Sequence, residues 1–380
     1  MLPGMVPIID EEWTVLAGLL PVDWRELARE TGAIRRARGA ITEPDVLLRV
    51  LLLHVAGGLS LRSAAARAAE LGLAEMSDVA LLKRLRTSEE WLRTLAARMF
   101  TQTRFGARAG TFAGGRQFRA FDATTVEEPG ATGTDWRVHY GLSLPDLRCD
   151  FYELTDDKGG ETFTRFPVAK GDVVLADRGY SHRRGVAHVL GTGADVLVRL
   201  NSASFPLTGI EGKEFDLLVH LRRLRGVTPR EWPVEFVHEG KRHRLRLCAL
   251  RKSKVAAEQA KIKATRTATK KGKKVRARTL EAAEYVFVLT SLPFAEVDTA
   301  RILELYRARW QIELVFKRMK TLMRLGHLPK YSDASSRAWI EGKLLAVLLI
   351  ERLLGSAKFF SPWGYDVGAS QPLARVHRGS

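Results

Sequence analysis

Tyr306, Arg309, Glu313 and Lys320 lie in one short run, and at about 100° per residue their offsets of 0, 3, 7 and 14 fall within roughly 60° of arc on an α-helix. One face then carries a phenol, a guanidinium, a carboxylate and an ammonium. Trp310 and Lys317 project within about 40° of Tyr306, while Leu314, Phe316 and Met319 point elsewhere and can anchor the helix in a core. A carboxylate flanked by cations and aromatic rings suits joint binding of a metal ion and a nucleic acid backbone. The plain alternative is a solvated face held by intrahelical pairs such as Glu313 with Lys317.

Two further acids end strand-like segments. Asp122 follows Phe118 and Ala120 in a β-prone stretch, with hydroxyls at Thr124 and Thr125 after it. Asp177 closes the apolar run 172–176 just before the break at Gly179. A carboxylate delivered at the C-terminal end of a strand is a common site geometry in α/β folds. Either Asp alone would more often be an ordinary turn residue.

The spacing Tyr, two residues, Arg, three residues, Glu, six residues, Lys resembles the signature of the bacterial insertion-sequence transposases of the IS-four family, and it matches at all four positions. The resemblance covers roughly residues 40–357. It implies a DNA transposase with a catalytic triad of Asp122, Asp177 and Glu313 on a ribonuclease-H-like fold. It also implies phosphate contacts from Tyr306, Arg309 and Lys320, and a stacking or buttressing role for Trp310. In that family the cut strand's 3′-hydroxyl attacks the opposite strand to form a hairpin, which is reopened before the ends are joined to target DNA.

The rest of the chain reads as a mixed α/β fold with an N-terminal helical domain and an inserted β-rich subdomain, and the resemblance implies that its mixed sheet with flanking helices is ribonuclease-H-like. Segments 135–143 and 149–155 read as two more strands after Asp122, with turns at 130–133 and at Pro145 and Asp146. A helix over 181–191 and a strand over 195–200 follow. The expected boundaries are a helical DNA-binding domain over 1–105, a core over 106–200 with 291–357, the insertion over 201–290, and an irregular tail over 358–380. Within the insertion, 215–221, 232–237, 242–250 and 285–290 read as strands. Segment 251–278 reads as a basic loop, and Lys270, Lys271, Lys273 and Lys274 form either a solvated stretch or a phosphate-tracking arm.

The N-terminal region has helical periodicity, with Pro44 at a helix start, caps at Ser60, Ser77 and Ser88, and Gly72 after a helix. Its two middle helices could form a helix-turn-helix offering Lys83, Arg84 and Arg86 to DNA, or could simply pack on the core. In the tail, 361–365 resembles the family, whereas 366–380 is non-helical where the resemblance implies another helix.

Lys and Arg number 61 against 43 Asp and Glu, for a net charge of +18, which suits a nucleic acid partner. Cys149 and Cys248 fall in separate predicted strands and read as buried thiols rather than a disulfide or zinc site. The apolar stretches 47–56 and 344–350 are too short to cross a membrane, and nothing resembles a signal peptide, so the expected location is the bacterial cytoplasm, beside the nucleoid.

Three converging carboxylates would repel one another unless cations neutralised them. The set therefore implies two Mg²⁺ ions about 3.5 to 4 Å apart, with Mn²⁺ able to substitute. The expected partners are double-stranded DNA, as terminal inverted repeats and target, and a second copy of the chain in the synaptic complex. A stand-alone nuclease of the same fold, or a transposase-derived DNA-binding protein without activity, are the alternatives.

Overall fold

The structure is a computed structural model that describes residues 8–35, 41–106, 115–130, 136–144, 147–226, 228–270, 272–326, 328–329 and 332–357. The turn expected at Pro145 and Asp146, most of the one at 130–133, Lys271 and the tail from 358 lie outside these residues. The chain divides into two units, Met1–Thr103 with Leu322–Ser380, and Arg104–Thr321.

The first unit begins with α1 (Ile8–Ala17), α2 (Trp24–Glu30), α3 (Pro44–Val55), α4 (Leu61–Glu70), α5 (Asp78–Thr87) and α6 (Glu89–Gly106). Ser60 and Ser77 cap α4 and α5 by accepting from Ser63 N at 3.1 Å and Ala80 N at 3.2 Å. Ser88 instead donates to Arg84 O at 2.8 Å. Leu47, Leu51, Leu81, Leu85 and Trp91 are fully buried, and the Trp91 indole donates to Trp24 O at 2.9 Å. The cations expected to read DNA from α5 are partly committed inside this unit. Arg84 donates to Ile41 O at 3.0 Å and Arg86 Nε donates to Ser335 Oγ at 2.7 Å, whereas Lys83 is exposed.

The second unit is built on β1 (Gln117–Val126), β2 (Trp136–Ser143), β3 (Arg148–Asp156), β4 (Asp172–Ala176), α7 (Arg183–Gly191), β5 (Asp195–Arg199), α8 (Leu217–Leu221), β6 (Arg230–His238), β7 (Lys241–Arg251), α9 (Lys254–Lys270), α10 (Ala277–Ala282), β8 (Tyr285–Thr290), α11 (Thr299–Arg307) and α12 (Trp310–Thr321). Its eight strands form one mixed sheet in the order β3-β2-β1-β4-β5-β8-β7-β6. β1, β4 and β5 are parallel, and the remaining neighbours are antiparallel. Val173, Val174 and Leu175 in β4 and Val196, Leu197 and Val198 in β5 make the middles of these strands apolar and buried, as strands covered on both faces require. Phe121, Phe163, Phe166, Val186 and Val189 fill the core between the sheet and α7.

Four expectations change. Residues 201–290 do not form a separate β subdomain, because β8 pairs with β5 along one edge and with β7 along the other and so carries the β6–β7 hairpin into the core sheet. The stretch 215–221 holds α8 rather than a strand, since Asp216 accepts from Leu218 N at 2.9 Å and caps a helix there. The basic segment is a helix, α9, whose alanines, lysines and glutamine favour that state, and Lys261 ties it to Glu284 at 2.8 Å. Finally, residues beyond Thr321 group with the first unit rather than with the core expected to extend to 357. There α13 (Asp333–Ala357) buries Trp339, Ile340, Leu344 and Leu345 and packs against α3 and α5.

Candidate active site

β1 and β4 run side by side in parallel, with Phe121 opposite Ala176. The next residue on each chain is an acid, Asp122 within β1 and Asp177 just past the end of β4, so this register brings two carboxylates to neighbouring positions. Asp177 Oδ1 accepts from Gly179 N at 2.6 Å and caps the 3-10 turn Arg178–Tyr180. Asp122 Oδ1 accepts from Ala123 N at 2.8 Å. Burial, and then the charges of Asp177 and Glu161, push Asp122 up to about 7, against the pull of the Ala123 amide and Arg309.

The third acid comes from α12, which packs over β1 by burying Ile312, Phe316 and Met319. The Phe316 ring meets Tyr140, the partner of Asp122 across β1 and β2, at 5.8 Å. Glu313 points away from these anchors and is half exposed. Arg309 joins it to the strand acids, with Nη2 hydrogen-bonded to Glu313 Oε1 and Nη1 3.6 Å from Asp122 Oδ2. The Arg309 guanidinium also lies over the Tyr306 ring at 5.8 Å, and its Nε is buried without a hydrogen-bond partner. Among the described residues, no three His, Cys, Asp or Glu side chains are gathered closely enough to hold an ion.

The single helical face expected over 306–320 is split. Tyr306 belongs to α11 and Trp310 begins α12. Between them the ladder tightens to i→i+3 bonds, with Arg309 N donating to Tyr306 O at 3.2 Å and Ile312 N to Arg309 O at 3.2 Å. Arg309 therefore sits in the junction, where its side chain reaches both Asp122 and Glu313. On α12 itself Trp310, Glu313, Lys317 and Lys320 still share about 80° of arc. Trp310 is 59% exposed and Lys317 is exposed. Lys270 closes α9, and Lys273 and Lys274 follow it, all exposed; Lys271 lies outside the described residues.

Several groups at the site carried no recognised pattern in the sequence. Arg199, at the end of β5, is held below the usual guanidinium range by burial and by Arg178 and Arg309, despite Tyr306 and Asp177 nearby. Lys252 is lowered to about 8 by burial, Arg199 and Arg178. Cations thus crowd beside Asp177. Glu161, raised by burial and by Asp177, adds a fourth acid, and Tyr180, fully buried, is raised well above the phenol range by burial and then by Asp122, Glu161 and Asp177. The run from Asp177 through Arg178 and Gly179 to Tyr180 was the available signal for Arg178 and Tyr180; none marked Glu161.

The donors on offer are carboxylate oxygens, the kind a hard divalent cation takes, and Asp122 and Asp177 stand at neighbouring positions, Asp122 being raised first by burial and then by Asp177. Cys149 and Cys248 are buried, in β3 and β7. No helix among the described residues is long and apolar enough to cross a membrane.

The pattern of the Transposase DDE domain matches residues 154–349. The chain is 34% identical over 363 residues to the InsL protein of insertion sequence element IS186A of Escherichia coli (strain K12), covering 93% of this chain and 96% of that protein. It is likewise 34% identical over 364 residues to the transposase for insertion sequence element IS421 of Escherichia coli, with the same coverage. A shorter match, 37% over 108 residues, links 28% of the chain to 21% of the transposase for element IS231F of Bacillus thuringiensis subsp. israelensis. On this likeness and on its mixed α/β sheet with flanking helices, the chain belongs to the DDE transposases of insertion sequences, metal-dependent enzymes that act on DNA.

Proposed function

We propose that the chain cuts the terminal inverted repeats of its element and joins them to target DNA by in-line phosphoryl transfer at Asp122, Asp177 and Glu313. The observation that carries this reading is the position of Arg309, between Asp122 and Glu313, with one guanidinium nitrogen unpartnered. Two Mg²⁺ ions held by the three acids, with Mn²⁺ able to replace them, would supply activation of the attacking oxygen and stabilisation of the departing one.

The chain's own cations divide the remaining work. Arg309 neutralises Asp122 and Glu313 in the resting chain. Released from them, it turns its planar fork toward a phosphate of the strand that is not transferred, over the Tyr306 ring. Lys320 and Lys317 extend that contact along α12, and the exposed Trp310 ring stacks on or buttresses a base. Arg178, Arg199 and Lys252 form a second group of cations at the ends of β4 and β5, suited to the strand that enters the site. The α9 arm, with Lys270, Lys271, Lys273 and Lys274, supplies sequence-independent phosphate affinity. The helical unit over 1–105 binds the element's ends, and because two ends must be joined, the working form is a homodimer on DNA.

Arg309→Ala and Lys320→Ala remove cations but no acid. Both variants should still nick end-labelled terminal DNA in Mg²⁺, while double-strand-cut and joined products fall about a hundredfold and nicked intermediate accumulates on denaturing gels. Wild-type amounts of joined product from both variants would remove the phosphate-holding role and leave α12 supplying Glu313 alone.

A further inference from the structure

Three consecutive carbonyls in the turn after β3 are each held by a side chain from a different place. Arg137 Nη1, on β2, donates to Gly159 O at 2.5 Å, and Arg165 Nε donates to Gly160 O at 2.9 Å. His182 Nδ1 accepts from Gly185 N at 3.1 Å, so its Nε2 carries the proton and donates to Glu161 O at 3.1 Å. Thr162 then opens the next 3-10 turn by accepting from Thr164 N at 3.3 Å. A loop pinned at this many successive points presents its side chains from a fixed place.

The side chain so presented is Glu161. Its carboxylate lies against Gly179, inside the turn that Asp177 caps. A methyl group on Gly179 would collide with Glu161 Oε2 and would stand 3.0 Å from Asp177 Oδ1. The Glu161 carboxylate thus occupies the space that a side chain on Gly179 would take. Tyr180, the next residue, is fully buried, and its hydroxyl has no hydrogen-bond partner. Burial and then the charges of Asp122, Glu161 and Asp177 raise this phenol, against the pull of Arg137. A buried donor without an acceptor is costly in a folded chain, and a bound ligand or its coordinated water commonly satisfies such a group.

We propose that Glu161 is a fourth carboxylate of the cation site, ligating from the loop side the divalent ion held by Asp177, with the Tyr180 hydroxyl as the donor that orients the pair. This rests on the reading of Asp177 as a metal ligand. In such a ligand exchange a Glu161 oxygen would replace one water of the hydrated ion, and no covalent bond of the protein would change. It requires rotation of the Glu161 side chain toward Asp177, since the backbone that carries it is already fixed.

The test compares the full-length wild type, Glu161→Gln and Asp177→Asn, each titrated with Mn²⁺ alone by calorimetry and melted with and without Mn²⁺. Glu161→Gln is expected to bind Mn²⁺ about 10- to 100-fold more weakly. Its melting temperature without metal should equal or exceed that of wild type, because a negative charge beside Asp177 has been removed while the three pinned carbonyls remain. Wild-type Mn²⁺ affinity in Glu161→Gln, with affinity lost in Asp177→Asn, would overturn the proposal and leave the underlying site intact. A clear fall in melting temperature without metal would make Glu161 a structural loop residue and would equally overturn it. Unchanged Mn²⁺ binding in Asp177→Asn would instead sink the metal-site reading on which the proposal rests.

Discussion

Asp122→Ala, Asp177→Ala and Glu313→Ala are each expected to lose DNA strand cleavage by on the order of 10²- to 10³-fold or more, while binding DNA nearly as tightly as wild type. On the proposed reading each change removes an oxygen donor for the cation but few phosphate contacts, which that reading assigns to Arg309, Lys317, Lys320 and the α9 arm. The three should differ in what they do to the chain without metal. Asp122 is buried and raised to about 7 by burial and by Asp177, so its ionised form destabilises the fold. Stability linked to that group is fully present below the ordinary carboxylate range and is lost as the pH rises through about 7. Asp122→Asn should therefore melt higher than wild type at pH 8 and no higher at pH 4. Glu313 is half exposed and paired with Arg309, so its replacement should change melting little. Substantial cleavage by any one variant at ordinary Mg²⁺ would remove that residue from the site.

The largest loss of stability is expected from Arg119→Leu, at about 3–5 kcal/mol. The Arg119 side chain is 2% exposed and lies on β1, three residues before Asp122. It donates to Asp150 at 2.5 and 3.0 Å, to Asp172 at 2.9 Å and to Pro167 O at 2.6 Å. Burial works against its charge, yet the two aspartates outweigh that and raise its pKa. Leucine keeps much of the volume but leaves two carboxylates and a carbonyl facing apolar surroundings. Because β1, β3 and β4 are joined at this point, the loss should appear as weaker resistance to urea of the whole sheet. A change under about 1 kcal/mol would show that water replaces the guanidinium without penalty.

The two strand acids were readable from the sequence because each ends or interrupts an unambiguous strand pattern, and the parallel register of β1 and β4 then makes them neighbours. The helix that carries Glu313 was readable from spacing, but its separation from α11 was not. Residues on both sides of Ala308 have helical periodicity, and no Gly or Pro marks the change to i→i+3 bonding, so the junction that aims Arg309 left no trace. Charge misled in the insertion, where the many lysines of α9 drew attention from its alanines. A short apolar run misled at α8, where the Asp216 cap decided the outcome. Glu161 was invisible for a different reason: it sits in a polar loop without periodicity, and its place beside Asp177 comes from side-chain clamps spread over 137–182. Which cations remain available for DNA is also a tertiary matter, as the internal bonds of Arg84 and Arg86 show.

The most direct test of the central claim is the metal preference of Asp122→Cys in strand cleavage of terminal DNA. A thiolate is a poor ligand for Mg²⁺ and a better one for the softer Mn²⁺. If Asp122 holds the ion, the cysteine variant should be nearly inactive in Mg²⁺ and should recover measurable cleavage in Mn²⁺, whereas Asp122→Ala should be inactive in both. Cleavage by Asp122→Cys in Mg²⁺ at the wild-type rate would contradict the account.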